Sequence, residues 1–173
     1  MKKALVPIAV VAFALIGAQA ASAAGPNICV AANGEQRVQK GTTVCEANGT
    51  GSVAIARGAN SNALAISGDH NRATASGDGS YATAGNGDNN TATTSGDGSD
   101  ARAGVGDNNT ATTSGDGSIA VALQGDNNTA TASGDDSVAQ AVLGDNNTVT
   151  ASEDNDVCVV SGASDDTLTS PCP

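Results

Sequence analysis

The sequence predicts an all-β protein: a two-sheet β-solenoid, or β-roll, of about six 19-residue turns with disulfide-capped ends. Three observations predict it. Glycines open a unit at positions 49, 58, 68, 77, 87, 96, 106, 115, 125, 134 and 144, in steps that alternate nine and ten. Inside each unit, small and polar residues alternate with the period of two that marks a strand. The 173 residues include 22 Gly but one Tyr, one Phe and no Trp. A thick-cored α/β enzyme needs far more bulky side chain than that.

Taken in chain order, Lys2 and Lys3 precede an apolar run from Ala4 to Ala18, and Ala21-Ser22-Ala23 follows as a cleavage pattern. Residues 1–23 therefore read as a secretory signal peptide, with Ala18-Gln19-Ala20 as a second possible cleavage site. That apolar run is too short for a comfortable transmembrane span, and no second hydrophobic stretch follows. The mature chain is expected to be exported, then released or held at the cell surface by non-covalent contacts. Residues 24–48 form an N-terminal cap, 49–162 the solenoid array, and 163–173 a C-terminal cap.

Within the array, the residue five after each start is small: Ala92, Ala101, Ala111, Ala120, Ala130 and Ala139, then Val149 and Cys158. Three after the start, Ser alternates with Asn, as in Ser80, Asn90, Ser99 and Asn109. Positions three, five and seven are expected to face inward, because the opposite phase would bury Asp100 and Arg102. The interior is then Ala on Ala with Ser and Asn ladders. Disorder is the rival reading of a chain so poor in aromatic residues, but the strict register argues against it.

Four Cys in an exported chain suggest two disulfides. Six turns at about 4.8 Å make a rod of about 29 Å, whereas bonded Cα atoms lie within about 7 Å. Pairing across the rod is excluded, which leaves Cys29–Cys45 and Cys158–Cys172 as caps on edges that would otherwise invite aggregation. The spacing does not suit zinc, and His70 is the only His.

The nine-residue halves present paired Thr outward: Thr91 with Thr93, Thr110 with Thr112, Thr129 with Thr131, and Thr148 with Thr150. They form two ranks on one flat sheet, a candidate binding face. The ten-residue halves present an irregular face that turns apolar towards the C-terminus, at Ile119, Val121, Val138, Val157 and Val159. That patch is a candidate surface for self-association or docking. Asp follows Gly along both edges, with Asp88, Asp107, Asp126 and Asp145 in one column. Such columns are candidate Ca²⁺ ligands, but the favoured expectation is Asx-type turn bonding and solubility, with no metal.

Lys plus Arg is 7 and Asp plus Glu is 18, a net charge of −11. Loss of the signal peptide makes it −13. Binding to nucleic-acid phosphates is not expected of such a chain. No nucleophile elbow, phosphate loop or metalloprotease motif occurs, so neither catalysis nor a cofactor is expected.

The Thr-Ala-Thr ladder over residues 87–152 resembles the Thr-X-Thr faces of β-solenoid antifreeze proteins, and that resemblance implies ice binding. The Gly-x-x-Asn/Ser-x-Ala-x-Ala units over 49–152 resemble the β-roll heads of trimeric autotransporter adhesins, and more loosely curlin-type repeats. The 19-residue period departs from the adhesins, and trimeric assembly does not carry over. The near-18-residue turn is similar to that of RTX β-rolls, without their Gly-Gly-x-Gly-x-Asp loop. As a whole the chain resembles small exported actinobacterial proteins of unknown function. The functional expectation is an exported, non-catalytic structural or surface-binding, adhesin-like protein. The alternative is ice binding through the Thr face.

Overall fold

The computed structural model describes residues 27–172; the expected signal peptide lies outside them. They contain sixteen strands and no helix. Sheet A holds nine strands, in spatial order β2 (Glu35–Lys40), β1 (Ile28–Ala32), β4 (Val53–Arg57), β6 (Arg72–Ala75), β8 (Thr91–Thr94), β10 (Thr110–Thr113), β12 (Thr129–Ala132), β14 (Thr148–Ala151) and β16 (Thr167–Thr169). Sheet B holds seven: β3 (Val44–Ala47), β5 (Asn62–Ile66), β7 (Tyr81–Gly85), β9 (Asp100–Ala103), β11 (Ile119–Ala122), β13 (Val138–Ala141) and β15 (Val157–Val160). The chain alternates between the sheets, which makes a β-solenoid of about seven turns.

Register follows the repeat without slippage. In sheet A, Ala92, Ala111, Ala130 and Val149 align across parallel strands. In sheet B, Ala101, Ala120, Ala139 and Cys158 do the same. These residues are fully buried. A one-residue slip would move all of them to the solvent side. Asp100 and Arg102 lie on the outer face, joined by an Arg102 Nε–Asp100 Oδ1 bond of 3.0 Å. That bond raises the guanidinium's pKa further.

An inward Ala contributes under about 1 kcal/mol of burial, while ordering its backbone costs about 1–2 kcal/mol. Hydrogen bonding between turns supplies the difference, through the backbone ladders and, in one row of corners, through buried asparagine side chains. Asn71, Asn90, Asn109, Asn128 and Asn147 are fully buried in one column. The Asn109 backbone N–H donates to Asn90 Oδ1 at 2.9 Å. Its own Oδ1 accepts from Asn128 N at 3.0 Å, and its Nδ2 donates to Gly125 O at 2.8 Å. The serines of the other half behave differently. Ser80, Ser99, Ser118 and Ser137 bond the carbonyl three residues back, closing their own turn.

Glycine at the corners is required by how closely turns approach. A Cβ on Gly96 would lie 2.1 Å from the Gly115 carbonyl oxygen. Gly106 has φ +126, and its Cβ would lie 2.1 Å from Gly125 O.

Both caps contribute strands to the sheets, which is why about seven turns form where the array alone implies six. The β1–β2 hairpin turns through Asn33 and Gly34, both at positive φ (53° and 79°), the geometry of a type I′ turn. β1 runs antiparallel to β4, whereas every later sheet-A neighbour is parallel. Cys29–Cys45 joins β1 to β3 across the core, with a Cα separation of 5.7 Å. Cys158–Cys172 closes the other end at 5.4 Å. Asp156 accepts from Ser170 Oγ and the Cys172 N–H there. Both disulfides agree with an oxidising compartment.

Two buried hydroxyls run against this pattern: Thr94 and Thr113, paired in register, point inward where Ala75, Ala132 and Ala151 stand in other turns. Neither hydroxyl has a hydrogen-bond partner among the described residues. Asn109→Ala strands a buried N–H and a carbonyl and is expected to destabilise by roughly 2–5 kcal/mol. Thr113→Val keeps the shape, removes the orphan hydroxyl and is expected to stabilise by about 1 kcal/mol. Thermal melts followed by circular dichroism check both signs.

Candidate functional site

The rod offers two flat outer faces and two acidic edges. On sheet A the Thr pairs align as the repeat requires. Thr91 stands beside Thr110, then Thr129, then Thr148, and Thr93 beside Thr112, then Thr131, then Thr150. A fifth pair, Thr167 with Thr169 on β16, continues the ladder. Sequence reasoning placed those two in the cap, because the unit opens with Ala163-Ser164 in place of Gly-Asp. The repeat signal was still present, since 167 and 169 lie 19 residues beyond 148 and 150.

The eight residues expected on this face are not fully accessible. Thr93 and Thr150 are half-buried, as are Thr91, Thr110, Thr112, Thr129, Thr131 and Thr148, because each is flanked by a Thr on the next turn. Thr167 and Thr169, at the sheet edge, are exposed. Along a strand the two ranks are about 6.7 Å apart, and between turns about 4.8 Å. This is a flat array of paired methyl and hydroxyl groups five turns long, with no cleft in it.

Towards the N-terminus the same columns change character. Thr74 is followed by Ile55, Val30 and Val38, and Thr91 by Arg72 and Val53. One face is thus polar at one end and apolar with Arg and Lys at the other.

Sheet B carries the apolar residues named from sequence, but not all are accessible. Val157 and Val159 are 56% and 45% exposed. Ile119 and Val138 are half-buried. Val121 is only 8% exposed, in register between Arg102 and Gln140. The long neighbouring side chains explain this, and the accessible centre of the patch moves to β15. Exposed Leu143 and Val105 extend it along the corner, which the strand-based reading missed because they stand in turns.

The Asp columns make longer-range bonds than local Asx turns. Asp107 Oδ1 accepts the Asp88 backbone N–H at 2.7 Å, and the Asp107 N–H donates to Asp126 Oδ1 at 2.8 Å. The opposite edge repeats this through Asp78, Asp97, Asp116, Asp135 and Asp154. Each carboxylate therefore clamps the preceding turn. Stacking brings the equivalent amide of that turn within reach, and this corrects the expectation of bonding inside one turn.

No catalytic constellation forms among the described residues: His70 stands exposed in a turn at φ +57°. Asp156, Cys158 and Cys172 lie together, but both sulfurs are committed to a disulfide. A cleft of about 170 Å³ opens at the N-terminal mouth, lined by Ala31, Gln36, Cys45 and Ala47 among others. It is smaller than the roughly 300–1,000 Å³ of typical ligand pockets.

If the Asp columns act as hydrogen-bond clamps, Asp107→Asn keeps the acceptor and leaves the melting temperature within a few degrees. Asp107→Ala lowers it by an amount matching about 1–3 kcal/mol. Melts with and without EDTA are expected to coincide.

The chain matches no family model, no curated protein and no solved structure.

Proposed function

We propose that this chain is a non-catalytic structural or surface-binding protein of the cell exterior. Its ligand is an extended, periodic surface rather than a small molecule. The observation that carries this reading is the Thr-X-Thr array, in register through five turns of sheet A. A flat, rigid, repeating face suits a partner that repeats as well, such as a cell-wall polymer or a crystalline solid. Small ligands require concave, mostly apolar sites with converging polar groups.

A second reading, ice binding, is favoured by one specific feature. Both Thr ranks are uninterrupted, from Thr91 to Thr167 and from Thr93 to Thr169, so methyl and hydroxyl groups recur on a two-dimensional grid. Adhesion to a polymer needs no such uniformity, whereas ordering water into a lattice does. An exported rod with an acidic, soluble remainder fits either partner.

Co-sedimentation of the mature protein with insoluble polysaccharides, run beside an ice-recrystallisation assay, tests both. Binding or inhibition is expected to fall about tenfold or more for Thr112→Lys with Thr131→Lys, while strand circular dichroism is unchanged. Loss in the ice assay alone selects ice. A folded wild-type rod inactive in every arm, or active variants, overturns the assignment of the Thr face.

A further inference from the structure

Charge is distributed unevenly along the rod. Residues 27–66 carry Arg37, Lys40 and Arg57 against Glu35 and Glu46. Residues 103–172 carry eleven acidic groups and no Lys or Arg. The repeat does not require this polarity, since all turns share one architecture.

Each charged end also carries an apolar ladder on a different sheet. At the N-terminal end of sheet A, Val38, Val30 and Ile55 are register neighbours across three successive strands. Val38 is 41% exposed, and Val30 and Ile55 are half-buried on the outer face. Lys40 and Arg57 flank this ladder, opposite Ile28 on either side. At the C-terminal end of sheet B, Ile119, Val138 and Val157 likewise align across three strands, beside Val159. The acidic corners Asp135, Asp136 and Asp154 border them, all exposed.

We infer that these are the two halves of one interface. The basic, apolar N-terminal end of sheet A docks on the acidic, apolar C-terminal end of sheet B of a second copy of this chain. Both ladders are three strands wide, about 10 Å at strand spacing, so they match in size. Charge selects the pairing. Two C-terminal patches brought together would oppose acid to acid, since Arg102 is already engaged by Asp100. On the N-terminal patch Lys40 and Arg57 outnumber Glu35, so the unlike pairing joins the larger opposite charges over apolar centres. The contact is heterologous, so each copy keeps one free surface of each kind, and association continues into a ring or an open chain. This does not rest on the Thr face, most of which remains uncovered.

Sedimentation velocity on the oxidised mature protein, over a concentration series at low and high salt, tests the inference. Wild type is expected to form species larger than dimers at low salt and to weaken as salt screens the unlike charges. Val38→Asp and Val157→Lys alter exposed positions and are each expected to weaken self-association about tenfold or more. Arg57→Glu is a second route to the same loss on the basic side. An equimolar mixture of Val38→Asp with Val157→Lys retains one intact surface of each kind. It is expected to regain association that neither variant shows alone. Circular dichroism of each variant verifies the fold. A wild type that stays monomeric throughout overturns the proposal. So does Val38→Asp protein that still associates like wild type, which marks a contact between C-terminal patches alone, or a mixture that stays monomeric.

Discussion

Each interior asparagine belongs to one turn but satisfies backbone groups of the next. Asn109 takes its own N–H bond from the turn before and supplies both an acceptor and a donor to the turn after. Without this column the corners would bury unpaired N–H and carbonyl groups, each costing about 1–3 kcal/mol. The Asp columns act in the opposite direction, each carboxylate reaching back one turn. Carboxamides that clamp forward and carboxylates that clamp backward fix the rise per turn. That rise goes with a core made mostly of Ala, with glycine at the corners and with the spacing of the Thr ranks. The geometry of both outer faces is therefore a consequence of turn stacking.

Placing the acids in corners explains how so negative a rod remains stable. Neighbouring carboxylates about 5 Å apart repel by roughly 1 kcal/mol in water before screening. A charge-assisted hydrogen bond to a backbone N–H offsets a cost of that size.

Most of this fold was legible because its signals were periodic. The alternation of nine and ten located both corners. The burial phase followed from refusing to bury Asp100 and Arg102, and the disulfide pairing followed from rod length. What escaped was aperiodic. The antiparallel β1 and the outlying β2 depend on one hairpin at Asn33-Gly34, outside the repeat. Thr167 and Thr169 were missed because Ala163-Ser164 replaces Gly-Asp, although the Ser164 hydroxyl accepts the Asp145 N–H just as a carboxylate would. The covering of Val121 depends on the lengths of Arg102 and Gln140 one strand away on either side. The partial burial of Thr93 and Thr150 has the same origin, in the Thr one strand away. These are facts about cross-strand neighbours, and they appear only once the register is known. The Thr face itself was readable, whereas its extent and its apolar continuation through Ile55, Val30 and Val38 were not.

Hydrogen-bonded ladders, including the side-chain ladders at the corners, rather than apolar burial, lock the turns together. Residue-resolved amide hydrogen exchange tests it most directly. The backbone amides of Asn90, Asn109 and Asn128, with those of Asp88 and Asp107, lie outside the strands and bond only to side chains of adjacent turns. Protection approaching that of the central strand amides is expected, lost only as the whole rod unfolds. Exchange of these corner amides at the rates of open loops, with the strands still protected, would contradict it.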